Sequence, residues 1–215
     1  MAYIALIGDM VASKSLPDSR RAEVQTALAD SLAALNRGRK RLGIASNFTI
    51  TLGDEFQALF ASADALWLCL FRIERDLYPT DLRFALGVGE IVTQINQKSA
   101  LGMDGPAFHR ARDGIELLRE RNDRYGVFGL TPEPPYLNDT LTLISRQRET
   151  WKQARIETFV DTLAGHKPAA IANRLGLSPQ AIYKNITDGN LTPIQRILEQ
   201  CSADLNQALP GAGQR

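Results

Sequence analysis

Residues 3–7 form an apolar run that stops at Gly8-Asp9, a pattern of a short buried strand closed by turn residues. Further along, Phe48, Ile50 and Leu52 alternate with Thr49 and Thr51. After Gly53, Asp54 and Glu55 the alternation resumes at Phe56, Ala58 and Phe60. A two-residue period interrupted by a glycine-containing turn predicts a β-hairpin. The segments around it have the helical period instead. Pro17 and Asp18 open a helix with Val24, Leu28, Leu32 and Leu35 on one stripe, and Ser62 is expected to cap a second, with Leu66, Leu70, Ile73 and Leu77 buried until Pro79 stops it. Residues 83–92 predict another strand, in which Gly87 and Gly89 leave room for a second backbone or a ligand. Pro106 begins a third helix with Phe108, Ala111, Ile115 and Leu118 inward, and a short strand follows at 125–128.

The resulting order, β-α-β-β-α-β-α-β, predicts a mixed α/β (α+β) fold. Its simplest closure is an antiparallel sheet with the first strand between the third and fourth and helices on one face. Residues 130–139, with Pro132, Pro134 and Pro135, read as a linker, dividing the chain into domains 1–138 and 139–215. The second domain is expected to be all-helical: one long helix from Asp139 or Thr140 to Leu163, a helix over 168–175, another over 179–186, and a last from Thr192 to about Leu209.

Composition narrows the classes. A net charge of +1 over 215 residues fits neither a polybasic nucleic-acid coat nor an acidic tail. Two well-separated cysteines make no disulfide framework, which suits a reducing cytoplasm. The N-terminal apolar run is too short for a signal peptide, and no window is long enough for a membrane span. The expected setting is cytoplasmic, away from membranes.

The candidate chemistry lies in the two acidic turns. In the predicted sheet the end of the first strand, at Asp9, lies beside the start of the third, at Asp54. Two carboxylates with backbone carbonyls near Met10 and Val11 make an oxygen-rich rim suited to Mg²⁺ or Mn²⁺. The loop that follows, with the N–H groups of Met10 and Val11 and the Ser13 hydroxyl, and the turn at Gly53, are candidate contacts for nucleotide phosphates. Acidic turn residues also occur simply as turn formers.

These same segments resemble known families. IALIGDMVASKSL and LGDEFQALF are similar to the two metal motifs of class III nucleotidyl cyclases, the second also to the acidic hairpin of diguanylate cyclases. RFALGVGEIV followed by GMDGPAFHRAR resembles the cyclase segment leading into the helix that carries transition-state residues. The whole set, with the helical C-terminus, resembles the SatD family. The cyclase resemblance implies a ferredoxin-like palm, Asp9 and Asp54 as metal ligands and catalytic pair, Glu55 as their neighbour, Arg112 near the phosphates, a nucleoside triphosphate or other nucleotide as ligand, and a homodimer. Where cyclases carry an asparagine four residues before that arginine, this chain has Phe108, which fits the apolar stripe and a packing role.

Residues 168–190 have the pattern of a helix-turn-helix. Ala170, Ile171 and Leu175 form an inner face, Gly176 makes the turn, Ser178 is a good N-cap, and Ile182 and Ile186 anchor the second helix. Gln180, Ala181, Lys184 and Asn185 are its expected outward residues, with Gln180, Lys184 and Asn185 the candidates for contacting DNA. A helical bundle for packing or dimerisation is the alternative. Two functions follow: a nucleotide- and metal-binding regulator coupling the palm to DNA, or an active nucleotidyl cyclase or nucleotidyltransferase using Asp9 and Asp54. A palm without a ligand is the third.

Overall fold

The computed structural model describes residues 1–11 and 17–209. Five strands form a single sheet: β1 (Ala2–Met10), β2 (Ile44–Leu52), β3 (Glu55–Phe60), β4 (Leu82–Glu90) and β5 (Tyr125–Phe128). Their order is β2-β3-β1-β4-β5. As expected, β1 lies between β3 and β4 and is antiparallel to both. The edge strand β5 departs from the antiparallel expectation and runs parallel to β4. The reason is the connection: parallel neighbours need a crossover, and α3 (Pro106–Arg121) supplies it.

Alternation along β1 sends its side chains to two different layers. Ile4, Leu6 and Met10 pack beneath α1 (Asp18–Arg37) and α2 (Leu66–Leu77). Ala5 and Ile7 pack against α3 on the opposite face, with Leu59, Ala107, Ala111 and Ile115. The expectation of helices on one face therefore describes α1 and α2, while α3 covers the other. Gly87 makes that approach possible. A Cβ built there would lie 2.1 Å from the Ala107 carbonyl oxygen, so the neighbour it makes room for is the α3 backbone.

Two boundaries differ from the sequence pattern. Ser62 does not cap α2; its hydroxyl accepts the Asp64 N–H in a preceding turn, and the helix starts at Leu66. The long helix expected through residue 163 is broken into α4 (Leu137–Glu149) and α5 (Gln153–Leu163). At the break Thr150 donates its hydroxyl to the Gln147 carbonyl, and the chain turns to carry Trp151 inward. There the indole packs against Phe159 at 5.1 Å and Phe71 at 6.1 Å between ring centroids. Three more helices follow among the described residues: α6 (Pro168–Leu175), α7 (Pro179–Asp188) and α8 (Leu191–Gln207).

One apolar core runs through the segment that reads as a linker. Phe71 and Tyr125 from the sheet half share a cluster with Leu141, Trp151, Phe159 and Leu198 from the helical half. Polar links reinforce the junction. Asn206 accepts the Ala63 N–H at 2.8 Å and donates to Asp64, and Ser202 donates to the Ala63 carbonyl.

Cys69 and Cys201 lie within this core as free thiols. Burial pushes each thiol up to about 12 from an ordinary value of 9.0. Above pH 9 the unfolded chain ionises these thiols while the folded chain keeps them protonated, so the folded state loses stability as pH rises from about 9 towards 12. Native protein at pH 8 should resist alkylation by iodoacetamide, and urea-unfolded protein should take two labels, which mass spectrometry will count.

Candidate functional site

Register fixes the site. On β1, Asp9 is paired with Glu55 of β3 on one side and Arg83 of β4 on the other. Directly paired residues project from the same face of a sheet, here the face that α3 covers. On α3, Arg112, Glu116 and Arg119 are spaced four and three residues apart, which sets them along one helical stripe. Close packing of the helix on Gly87 and Gly89 brings that stripe down to the carboxylates.

Asp9 and Glu55 are each only 5% exposed, so their charges require partners. Arg119 grips Asp9 with two nitrogens, Nε to Oδ2 at 3.1 Å and Nη2 to Oδ1 at 3.0 Å. Arg83 Nη1 lies 3.5 Å from Asp9 Oδ2. Arg112 Nη1 donates to Glu55 Oε2 at 2.6 Å, and the Thr51 hydroxyl donates to Glu55 Oε1 at 3.0 Å. Glu116 bonds the remaining terminal nitrogen of Arg119 at 2.6 Å. The bond to Asp9 raises the affinity of Arg119 for its proton, against the opposing effect of burial. Paired guanidinium–carboxylate bonds of this kind are among the stronger polar contacts in proteins.

The turns converge as the topology requires. Met10 N–H donates to the Asp54 carbonyl at 3.1 Å, tying the hairpin turn to the end of β1. Gly53 takes a positive φ of 63° in that turn and its carbonyl accepts from Gln25. The side chain that register sets across from Asp9 is Glu55, expected only as a neighbour of the pair. The backbone cradle expected from Met10 and Val11 is otherwise engaged: Val11 N–H donates to the Asp81 carbonyl at 2.8 Å, and Met10 N–H is held by Asp54. Ser13 lies outside the described residues.

In this arrangement the Asp9–Glu55 pair does not fit a divalent ion. All four carboxylate oxygens already accept from Arg119, Arg83, Arg112 or Thr51, and the positive charge an ion would bring is supplied by guanidiniums. Among the described residues no group of three or more His, Cys, Asp and Glu is arranged to hold a metal. What remains open to solvent is the outer side of two arginines: the side chains of Arg112 and Arg119 are 45% and 37% exposed. The sequence pattern does not single out Arg83 or Arg119 as site residues. The signal for Arg119 was its place seven residues after Arg112, and for Arg83 its even spacing from Ala85 on the α3 face.

In the helical half, α6 and α7 meet through Ile171, Ala172 and Ile182. Gly176 turns the chain at φ 64°, and Ser178 accepts the Ala181 N–H as the N-cap. Gln180 and Lys184 of α7 are exposed. Ala181 is half-buried, and Asn185 is turned towards α5, where its side-chain amide donates to the Thr158 hydroxyl at 3.3 Å. Tyr183, 60% exposed, is the large side chain that α7 presents instead.

The fold and site together define a mixed α/β protein with an arginine-paired acidic rim at one end of the sheet and a helical extension. The chain belongs to the SatD family, whose family model matches residues 3–186. Two solved structures of a bacterial light-regulated adenylyl cyclase are similar to it, at 17% and 16% identity with TM-scores of 0.39 and 0.41. Each match covers 59% of this chain and only 43% or 42% of the cyclase chain, so this protein aligns with less than half the length of those structures. No curated protein matches. Among the described residues no helix is long and apolar enough to cross a membrane.

Proposed function

We propose that this chain is a regulator that binds the phosphates of a nucleotide at the Asp9–Glu55 rim and meets DNA through a helix-turn-helix formed by α6 and α7. The observation that carries the reading is the pair of partly exposed arginine side chains, Arg112 and Arg119, anchored over buried carboxylates. Anchoring orients an arginine without neutralising its outer donors, and bidentate guanidinium contacts suit phosphate oxygens. On the helical side the exposure of Lys184 and Gln180, with Tyr183 beside them, supports the reading as far as phosphate and base-edge contacts need side chains open to solvent. A homodimer would supply the second recognition helix that a single weakly basic module lacks.

Calorimetric titration with ATP and GTP tests the rim. Saturable binding is expected, weakened about ten-fold or more in Arg112→Gln, a loss of about 1.4 kcal/mol or more. Binding that Arg112→Gln leaves unchanged would remove the phosphate reading. Repeating the titration with Mg²⁺ or Mn²⁺ in Asp9→Asn and Asp54→Asn tests the expected metal ligands. Chromatography of the same mixtures decides the alternative: a product that forms with Mn²⁺ and disappears in both variants makes the chain an enzyme. On mixed-sequence DNA, Lys184→Gln should lower the salt slope of binding by about one.

A further inference from the structure

A second site lies where the end of β1, the starts of β4 and β5, and the break between α4 and α5 converge. They enclose a cleft of about 400 Å³ whose walls include Val11, Asp81, Arg83, Arg124, Arg148 and Trp151. That volume is in the range of small-molecule pockets. Its polar groups are unevenly matched. Arg148 is engaged with Glu74 at 2.6 Å, and Asp123, also on the wall, is taken by Arg146 and Thr142. Arg124 is 8% exposed, and its Nη1 is paired with Asp81 Oδ1 at 2.9 Å. Its Nε has no acceptor in the protein, and neither does the indole Nε1 of Trp151, a residue 2% exposed.

Buried N–H groups without acceptors raise the free energy of a site until an acceptor reaches them, more so on a charged side chain. All the unmatched atoms named here are donors. We propose that this cleft binds a small oxyanion, a carboxylate or a phosphate monoester, seated against Arg124 and the indole of Trp151. The anion competes with Asp81, whose side chain is half exposed and free to swing into water when displaced. Because the walls come from the sheet on one side and from Arg148 and Trp151 on the other, occupancy fastens the helical half to the sheet. Arg83 lines the cleft and also touches Asp9, so the two sites share a wall.

The test follows the two tryptophan indole N–H signals of the full chain by ¹H–¹⁵N correlation, with Trp151 assigned through Trp151→Phe. Sodium phosphate, sodium acetate and sodium chloride are added separately at matched ionic strength. A saturable shift of the Trp151 signal with phosphate or acetate, and none with chloride, is expected, with half-saturation in about the millimolar range. A shift with phosphate alone identifies the phosphate class; a shift with acetate as well identifies the carboxylate. Asp81→Asn should tighten binding about three-fold or more by removing the competing charge, and Arg124→Gln should abolish the shift. Equal responses to all three salts, or an affinity that Asp81→Asn leaves unchanged, would overturn the proposal even if Arg124→Gln fails to fold. Arg112→Gln should leave the titration intact; a shift lost in that variant would assign the anion to the nucleotide rim and overturn the second site.

Discussion

Replacing Glu74 with alanine is expected to cost about 3–5 kcal/mol of stability, because it leaves the Arg148 guanidinium charged and buried without its partner. Glu74 is 1% exposed and Arg148 3%. Each Glu74 oxygen has one donor: the Tyr125 hydroxyl at 2.6 Å and Arg148 Nε at 2.6 Å. Burial works against the charge on Arg148, and the adjacent carboxylate more than restores it. Burial, and then the charge of Glu74, push the Tyr125 phenol well above its ordinary range, so it stays a donor. For a protein of this size the loss corresponds to a fall of about 6–20 °C in Tm. The double variant Glu74→Leu/Arg148→Met should recover most of it, since exchanging a whole buried pair for apolar groups is often neutral. A double variant no more stable than Glu74→Ala would show that the network stabilises the fold beyond cancelling its own desolvation.

The second large effect is expected at Gly87. A methyl group there meets the Ala107 carbonyl oxygen at 2.1 Å and the Ala111 nitrogen at 2.5 Å, backbone atoms of a packed helix that have no room to yield. Gly87→Ala should therefore push α3 off the sheet and cost about 3 kcal/mol, the upper end of ordinary overpacking. It should also act at a distance. Arg112 and Arg119 ride on α3, so the proposed nucleotide affinity at the rim should fall together with stability. Thermal unfolding and calorimetric titration of the one variant measure both. Retained nucleotide affinity in a destabilised Gly87→Ala protein would detach the rim arginines from the phosphate reading.

The sheet was largely legible in the sequence because its signals are local. Alternation at 48–52 and 56–60 marked the hairpin, and the order of elements placed β1 between β3 and β4. Gly87 and Gly89 advertised a close approach, though only the fold shows that a helix backbone makes it. The rim was legible in half. Asp9 and the acidic turn stand out in the sequence, but the pairing of Asp9 with Glu55 is a matter of register, and register is set by hydrogen bonds the sequence does not display. Arg83 and Arg119 look like ordinary surface arginines until strand and helix bring them to Asp9. The proline-rich stretch at 130–139 reads as a boundary because prolines break elements, yet Leu130 and Leu137, which flank its prolines, are buried in a shared core. Nor does the pattern reveal the break at Thr150-Trp151. No glycine or proline marks it, and the destination of Trp151, between Phe71 and Phe159, lies in distant parts of the chain.

That shared core has a consequence for how the chain emerges during synthesis. Leu66, Leu70 and Phe71 reach the growing polypeptide long before Leu198 and Leu205, which belong to the same buried cluster. A ribosome pausing between them displays an uncovered greasy surface, one that holdase chaperones recognise and that neighbouring nascent chains can stick to. The last turns of α8, clasped to Ala63 and Asp64 by Ser202 and Asn206, act as the final stitch that hides it.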